Sequence, residues 1–142
     1  MRMVRLTSVI VLGILATAPL GAADAPKPKP EPGTSVEMPY LIAPVIVDGK
    51  LVANAYVSNK VIATSLAHAI DIRAKVPFIE DAFVRDVNAR PIGKESDPVT
   101  VDEAALQVRL LADARRIIGA SAVADVKIIR IQTVELRPGA TP

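Results

Sequence analysis

Between Ser65 and Arg90 the chain reads SLAHAIDIRAKVPFIEDAFVRDVNAR, and this stretch limits the fold more than any other. Leu66, Ile70, Val76, Ile79, Phe83 and Val87 recur every three or four residues for most of its length, which lays them along one stripe of a helix. Asp71 with Lys75, Asp81 with Arg85, and Asp86 with Arg90 each set an acid four residues ahead of a base, an order that supports a solvated helix surface. Thr64 or Ser65 supplies the N-cap, and Arg90-Pro91 marks the end. Pro77 falls inside the stretch. Its ring and missing N–H predict a kink, or else a split with Pro77 near the first turn of a second piece; the kink is preferred because Val76, Ile79 and Phe83 carry the stripe across it. A helix patterned this way needs an apolar surface to cover.

Strand-like segments on either side supply that surface. Tyr40–Val47 is rich in apolar and β-branched residues, with Pro39 and Pro44 pointing to an edge strand or a bulge. Asp48-Gly49 is a strong hairpin turn signal, and Lys50–Ile62 is the returning strand. Leu51, Ala53, Ala55, Val57 and Val61 share the face expected to lie under the helix; Asn54, Tyr56, Ser58 and Lys60 share the other with Val52 and Ile62. After the loop Ile92–Val99, Thr100-Val101-Asp102-Glu103 has the capping-box pattern and predicts a second helix over Val101–Ile118. Its expected apolar face is Ala104, Val108, Leu111 and Ile118, beside Ala105, Leu110 and Ile117. Arg115 and Arg116 oppose the dipole at its end, and Gly119 caps it. Lys127–Leu136 is the closing strand, with Ile129, Ile131 and Thr133 on one face and Ile128, Arg130, Gln132, Val134 and Leu136 on the other. The order β-β-α-α-β predicts an α+β domain: a small antiparallel sheet of about three strands with two amphipathic helices on one face.

The ends of the chain have a different character. Met1–Ala23 has an export-signal pattern: Arg2 and Arg5, the apolar run Leu6–Ala18, a break at Pro19, and small residues at Gly21-Ala22-Ala23. The alternative is an inner-membrane anchor through residues 6–23. Residues 24–37 alternate proline with charge and read as an extended linker, residues 38–137 as one domain, and residues 138–142 as a tail. The expected compartment is the periplasm of a Gram-negative cell. Removing Arg2 and Arg5 with the signal takes the 17 basic residues to 15, equal to the 15 acidic ones. A neutral chain with 3% aromatics has neither the basic face nor the stacking rings of a nucleic-acid binder. Without cysteine, disulfides, thiolate metal sites and cysteine nucleophiles are excluded.

No constellation announces a reaction. His68 is the single histidine; Ser65 and Asp71 stand three residues to either side of it, but no G-x-S-x-G turn presents a nucleophile. Glu80, Asp81 and Asp86 are read as a solvated helix face paired with Arg85 and Arg90. Gly93-Lys94 is only a fragment of a phosphate-binding loop. No catalytic, cofactor-binding or metal-ligating residue is assigned, and the chain is not expected to be an enzyme. The sheet edges are the more useful signal, because natural proteins cover, blunt or pair them.

The run Tyr40-Leu41-Ile42-Ala43-Pro44-Val45-Ile46-Val47, its hairpin partner, the helix around Val76-Pro77-Phe78-Ile79-Glu80-Asp81-Ala82-Phe83, the capped second helix and the closing Val126–Leu136 strand together resemble the flagellar basal-body-associated FliL family. The resemblance spans about Met38–Arg137 and lies in pattern rather than in a diagnostic motif. It implies a periplasmic domain similar to the stomatin-type SPFH fold, and a non-enzymatic scaffold that self-assembles and associates with the flagellar stator. The implied partners are an envelope protein and further copies of the chain. Membrane contact is implied only if the N-terminal segment is retained. The alternative is a small periplasmic ligand- or protein-binding domain unrelated to motility.

Overall fold

The structure is a computed structural model and describes residues 29–137. The expected export signal at 1–23, the first part of the linker and the tail at 138–142 lie outside the described residues. The elements run β1 (Ser35–Glu37), β2 (Leu41–Val47), β3 (Lys50–Ala63), α1 (Leu66–Ala74), α2 (Val76–Ala89), α3 (Glu103–Ile118) and β4 (Val123–Glu135). The class is α+β, with a four-stranded antiparallel sheet and three helices among the described residues.

The central strand is β3. β4 runs along one side of it; β2 and then β1 line the other. The expected first strand Tyr40–Val47 is present as β2, and β1 is a further short strand ahead of it on the same edge. Met38, Pro39 and Tyr40 stand opposite only Ser58 and Asn59, so the edge bulges where proline cannot donate a ladder bond. β1 falls within the segment read as linker. Asp48 and Gly49 both have positive φ, 51° and 75°, the type I′ turn that the Asp-Gly pair favours.

Ala43, Ala53 and Ala55 are fully buried on the covered face, with Val45, Val57 and Val61 beside them. Their small size lets α2 pack closely over β2, while α1 lies over β3 and α3 over β4. Ile79, Phe83 and Val87 of α2, Ile72 of α1 and Leu106 and Leu110 of α3 fill the space between.

Several expectations are corrected. Pro77 splits the first helix instead of kinking it. Lys75 is both the end of α1 and the N-cap of α2, and Pro77 sits in the first turn of α2, where its missing N–H costs no bond. The split resets the helical phase, so the stripe holds in α2 but not in α1. Leu66 and Ile70 are exposed, and Ala69 and Ile72 face the core. α3 is rotated by about one residue, ~100°, from the expected face: Leu106, Leu110 and Ala114 are buried and Val108 is exposed. Its N-cap is Asp102, which accepts from the Ala105 N–H at 3.0 Å, not Thr100. Thr100 is held in the preceding loop, where its hydroxyl donates to Asp97 at 2.6 Å. In β4, Ile129 is an extra residue between the pairs Ser58–Arg130 and Asn59–Ile128. That bulge turns Ile128 toward the covered side and leaves Ile129 exposed.

Candidate interaction surface

The helices cover one face of the sheet and leave the other open. Register places Ile42, Tyr56 and Gln132 side by side on the open face, with Pro44, Asn54 and Val134 in the next row. Val52 is the extra residue where β2 and β3 shift register, between the pairs Val45–Ala53 and Ile46–Leu51. The shift turns Leu51 out beside Ile46, which is why it leaves the face where strict alternation put it. Leu136 continues the row, with its N–H bonded to the Val52 carbonyl at 2.9 Å. The hairpin end of the open face thus gathers Ile42, Ile46, Leu51, Tyr56, Val134 and Leu136, each between 38% and 50% exposed. Contiguous apolar surface of this kind marks interaction sites more often than chance. The opposite end is charged: Glu37, Lys60 and Lys127 lie in one row, with Arg130 beside Ser58 in the next.

The polar residues weighed for chemistry are consumed by structure. The Ser65 hydroxyl accepts the His68 backbone N–H at 3.2 Å and caps α1. The Thr64 hydroxyl donates to the Ser121 carbonyl and lies 2.8 Å from His68 Nδ1. This contact fastens the start of α1 to the turn before β4. The Arg85–Asp81 pair is exposed as expected. Asp86 is not a solvated residue: its side chain is 5% exposed and is held by Arg90 and by Arg109 of α3. Arg109 Nε donates to Asp86 at 2.8 Å, and its terminal nitrogens reach the carbonyls of Pro91, Asp86 and Arg90. Burial holds the Arg109 guanidinium below its ordinary pKa, and the nearby Asp113 carboxylate acts in the opposite direction. Arg115 donates to the Val123 and Ala124 carbonyls, tying the end of α3 to β4. Among the described residues, no group of three or more His, Asp or Glu side chains is placed to hold a metal.

The loop between α2 and α3 is tightly closed. Gly93 bridges Val101, the Lys94 N–H donates to the Thr100 carbonyl at 2.8 Å, and Asp97 accepts from Thr100 and Val99. The Thr100 hydroxyl, foremost, holds the Asp97 carboxyl below its ordinary pKa. Between this loop and β4 lies a shelf of about 350 Å³ lined by Val99, Thr100, Val101, Ile131, Thr133 and Glu135. A larger groove of about 890 Å³ runs where the N-terminal segment, α3 and β4 meet, with Thr34, Ile62, Gln107, Leu111 and Lys127 in its lining. No described helix is long and apolar enough to cross a membrane.

Sequence reasoning missed Asn59. It stands on the covered face between Val57 and Val61, 1% exposed, and neither atom of its amide has a hydrogen-bond partner. Period-2 alternation from Val57 was enough to place it there. Compared with known proteins, the chain matches no family model and no curated protein.

Proposed function

We propose that this chain is an exported, non-enzymatic interaction module that docks on another envelope protein through the open face of its sheet. The observation that carries this reading is the apolar cluster Ile42, Ile46, Leu51, Tyr56, Val134 and Leu136, grouped at one end of a sheet whose helices all pack on its other face. The pattern resemblance to the FliL family gives the reading a setting: a periplasmic domain that self-assembles and works beside the flagellar stator. The export pattern of Met1–Ala23 favours the same compartment. The experiment is deletion in the source organism, with swimming speed as readout, and complementation by the wild-type chain or by an Ile46→Asp, Leu51→Asp double variant. Reduced swimming that the wild type restores and the folded double variant does not would support the proposal. Unchanged swimming on deletion removes the motor setting. A double variant that restores swimming in full removes the face.

The groove of about 890 Å³ favours the second reading, a small ligand-binding domain unrelated to motility. A ligand that shifts the melting temperature of the wild type but not of a Gln107→Ala, Lys127→Ala variant would select it.

A further inference from the structure

The two edges of the sheet are protected unequally. The Leu136 N–H bonds the Val52 carbonyl, and antiparallel pairs alternate between bonded and non-bonded. Val52, Asn54 and Tyr56 therefore turn their backbone groups toward β4, and Ala53, Ala55 and Val57 turn theirs toward β2. On the β2 edge, Ile42 and Pro44 face outward, so a proline stands where a pairing strand would need an N–H. Pro39 interrupts the same edge again between β1 and β2. On the β4 edge, Ile131, Thr133 and Glu135 face outward, and there is no proline anywhere from Val123 to Arg137. Among the described strands, β4 pairs with β3 alone.

We propose that β4 pairs antiparallel with β4 of a second copy, with the two-fold axis at Thr133, joining two sheets into one. This rests on the reading of the chain as an assembling module, but it uses the edge rather than the face. The usable window is Arg130–Leu136, bounded on one side by the Ile129 bulge and on the other by the last bonded residue. Its midpoint is Thr133. Around that centre Ile131 meets Glu135 of the second copy, Thr133 meets its own counterpart, and all three outward-facing residues exchange N–H···O=C bonds. Side-chain faces match, because residues of equal parity meet. The neighbouring centres fail. An axis at Ile131 runs Thr133 into the Ile129 bulge, and an axis at Glu135 sets two carboxylates directly opposite each other. The pairing also brings Val134 of one copy beside Gln132 of the other, so the two apolar open faces become continuous across the seam.

The full chain contains no cysteine, so one introduced thiol reports the axis. Thr133→Cys sits in a bonded pair whose Cα atoms are about 5.5 Å apart, within disulfide reach. Mild oxidation is expected to convert Thr133→Cys to a covalent dimer and leave Val108→Cys, 68% exposed on α3, monomeric. In sedimentation, the wild type is expected as a dimer, and Thr133→Pro is expected to weaken association at least about tenfold, through two lost backbone bonds and the bulk of two rings. The Thr133 N–H takes no part in the β3 ladder, so Thr133→Pro should lose only the melting-temperature increment that dimerisation adds and should match the wild type once that is diluted to monomer, whereas Val134→Pro, which removes an inward N–H, should melt lower at every concentration. A wild type that stays monomeric, a dimer unaffected by Thr133→Pro, or a Thr133→Cys that crosslinks no better than Val108→Cys would each overturn the proposal. A monomer that still binds an envelope partner through Ile46 and Leu51 would overturn the edge and leave the face intact. A monomer whose partner binding is lost in Thr133→Pro would assign the edge to a different protein.

Discussion

Replacing Asn59 by valine should stabilise this protein. The amide is 1% exposed in the middle of the central strand, between Val57 and Val61 and opposite Ile128, and both of its polar atoms lack partners. A buried polar group left unpaired costs about 1–3 kcal/mol relative to solvation in the unfolded chain. Valine removes that cost, suits a strand, and adds apolar burial. Against this, its side chain is slightly larger and branched at Cβ, and overpacking takes back about 1 kcal/mol. The main-chain bond from the Met38 N–H to the Asn59 carbonyl is untouched. The net expectation is a gain of about 1–2 kcal/mol, or on the order of 5–10 °C in melting temperature for a domain of this size. Urea titration followed by far-UV circular dichroism measures it, with an unchanged m-value showing that the denatured state is not the cause. Asn59→Ala should gain less or lose, since it removes the amide but leaves a cavity. A loss of more than about 1 kcal/mol in Asn59→Val would refute the reasoning, because it would mean that the amide makes bonds worth keeping in the folded protein.

Arg109→Met should cost about 2–4 kcal/mol, because it strands the buried Asp86 with Arg90 alone. Arg90→Ala, at a side chain 58% exposed, should cost less than about 1 kcal/mol, and the Asp86→Leu, Arg109→Met pair should lie much closer to wild type than Arg109→Met, all by urea unfolding. Gly93→Ala should unseat the loop before α3, since a Cβ there would lie 2.1 Å from the Pro98 carbonyl oxygen; faster amide exchange at Lys94 and Thr100 is the readout. Asp97 has its carboxyl pKa lowered by folding, so its contribution is complete above its ordinary 3.8 and disappears as pH falls below that value. Asp97→Asn should therefore lie below wild type in melting temperature at neutral pH and converge with it in strong acid.

Much of the architecture was legible because it rests on short-range signals. Asp48-Gly49 fixed the hairpin through its left-handed turn, and the alternation from Ala53 to Val61 named the covered face of β3. In α2, Ile79, Phe83 and Val87 are buried as their spacing required. Three of the misreadings share a physical cause: each follows a one-residue change of phase that periodicity cannot register. Pro77 restarts the helix, so Leu66 and Ile70 leave the stripe. The extra residues Val52 and Ile129 turn Leu51 out and Ile128 in. α3 carries apolar or alanine residues on most of its circumference, so its spacing alone did not select Leu106 over Val108. The Arg109–Asp86 pair links positions 23 apart, and nothing local in either helix foretells it. The open apolar face was half visible: Asn54, Tyr56, Ser58 and Lys60 were assigned to the second face of β3, but Val52 packs against the core, Ile62 is buried, and the clustering with Ile46, Leu51 and Leu136 depends on the bulge.

The most direct test of the docking face is photocrosslinking in living cells with a photoreactive phenylalanine analogue at position 56 or, for comparison, at position 108. A discrete adduct is expected from the Tyr56 site, in the centre of the open face, and none from the Val108 site on the solvent side of α3. Equal labelling at both positions, or no adduct from position 56 in cells that express the chain at its normal level, would contradict it.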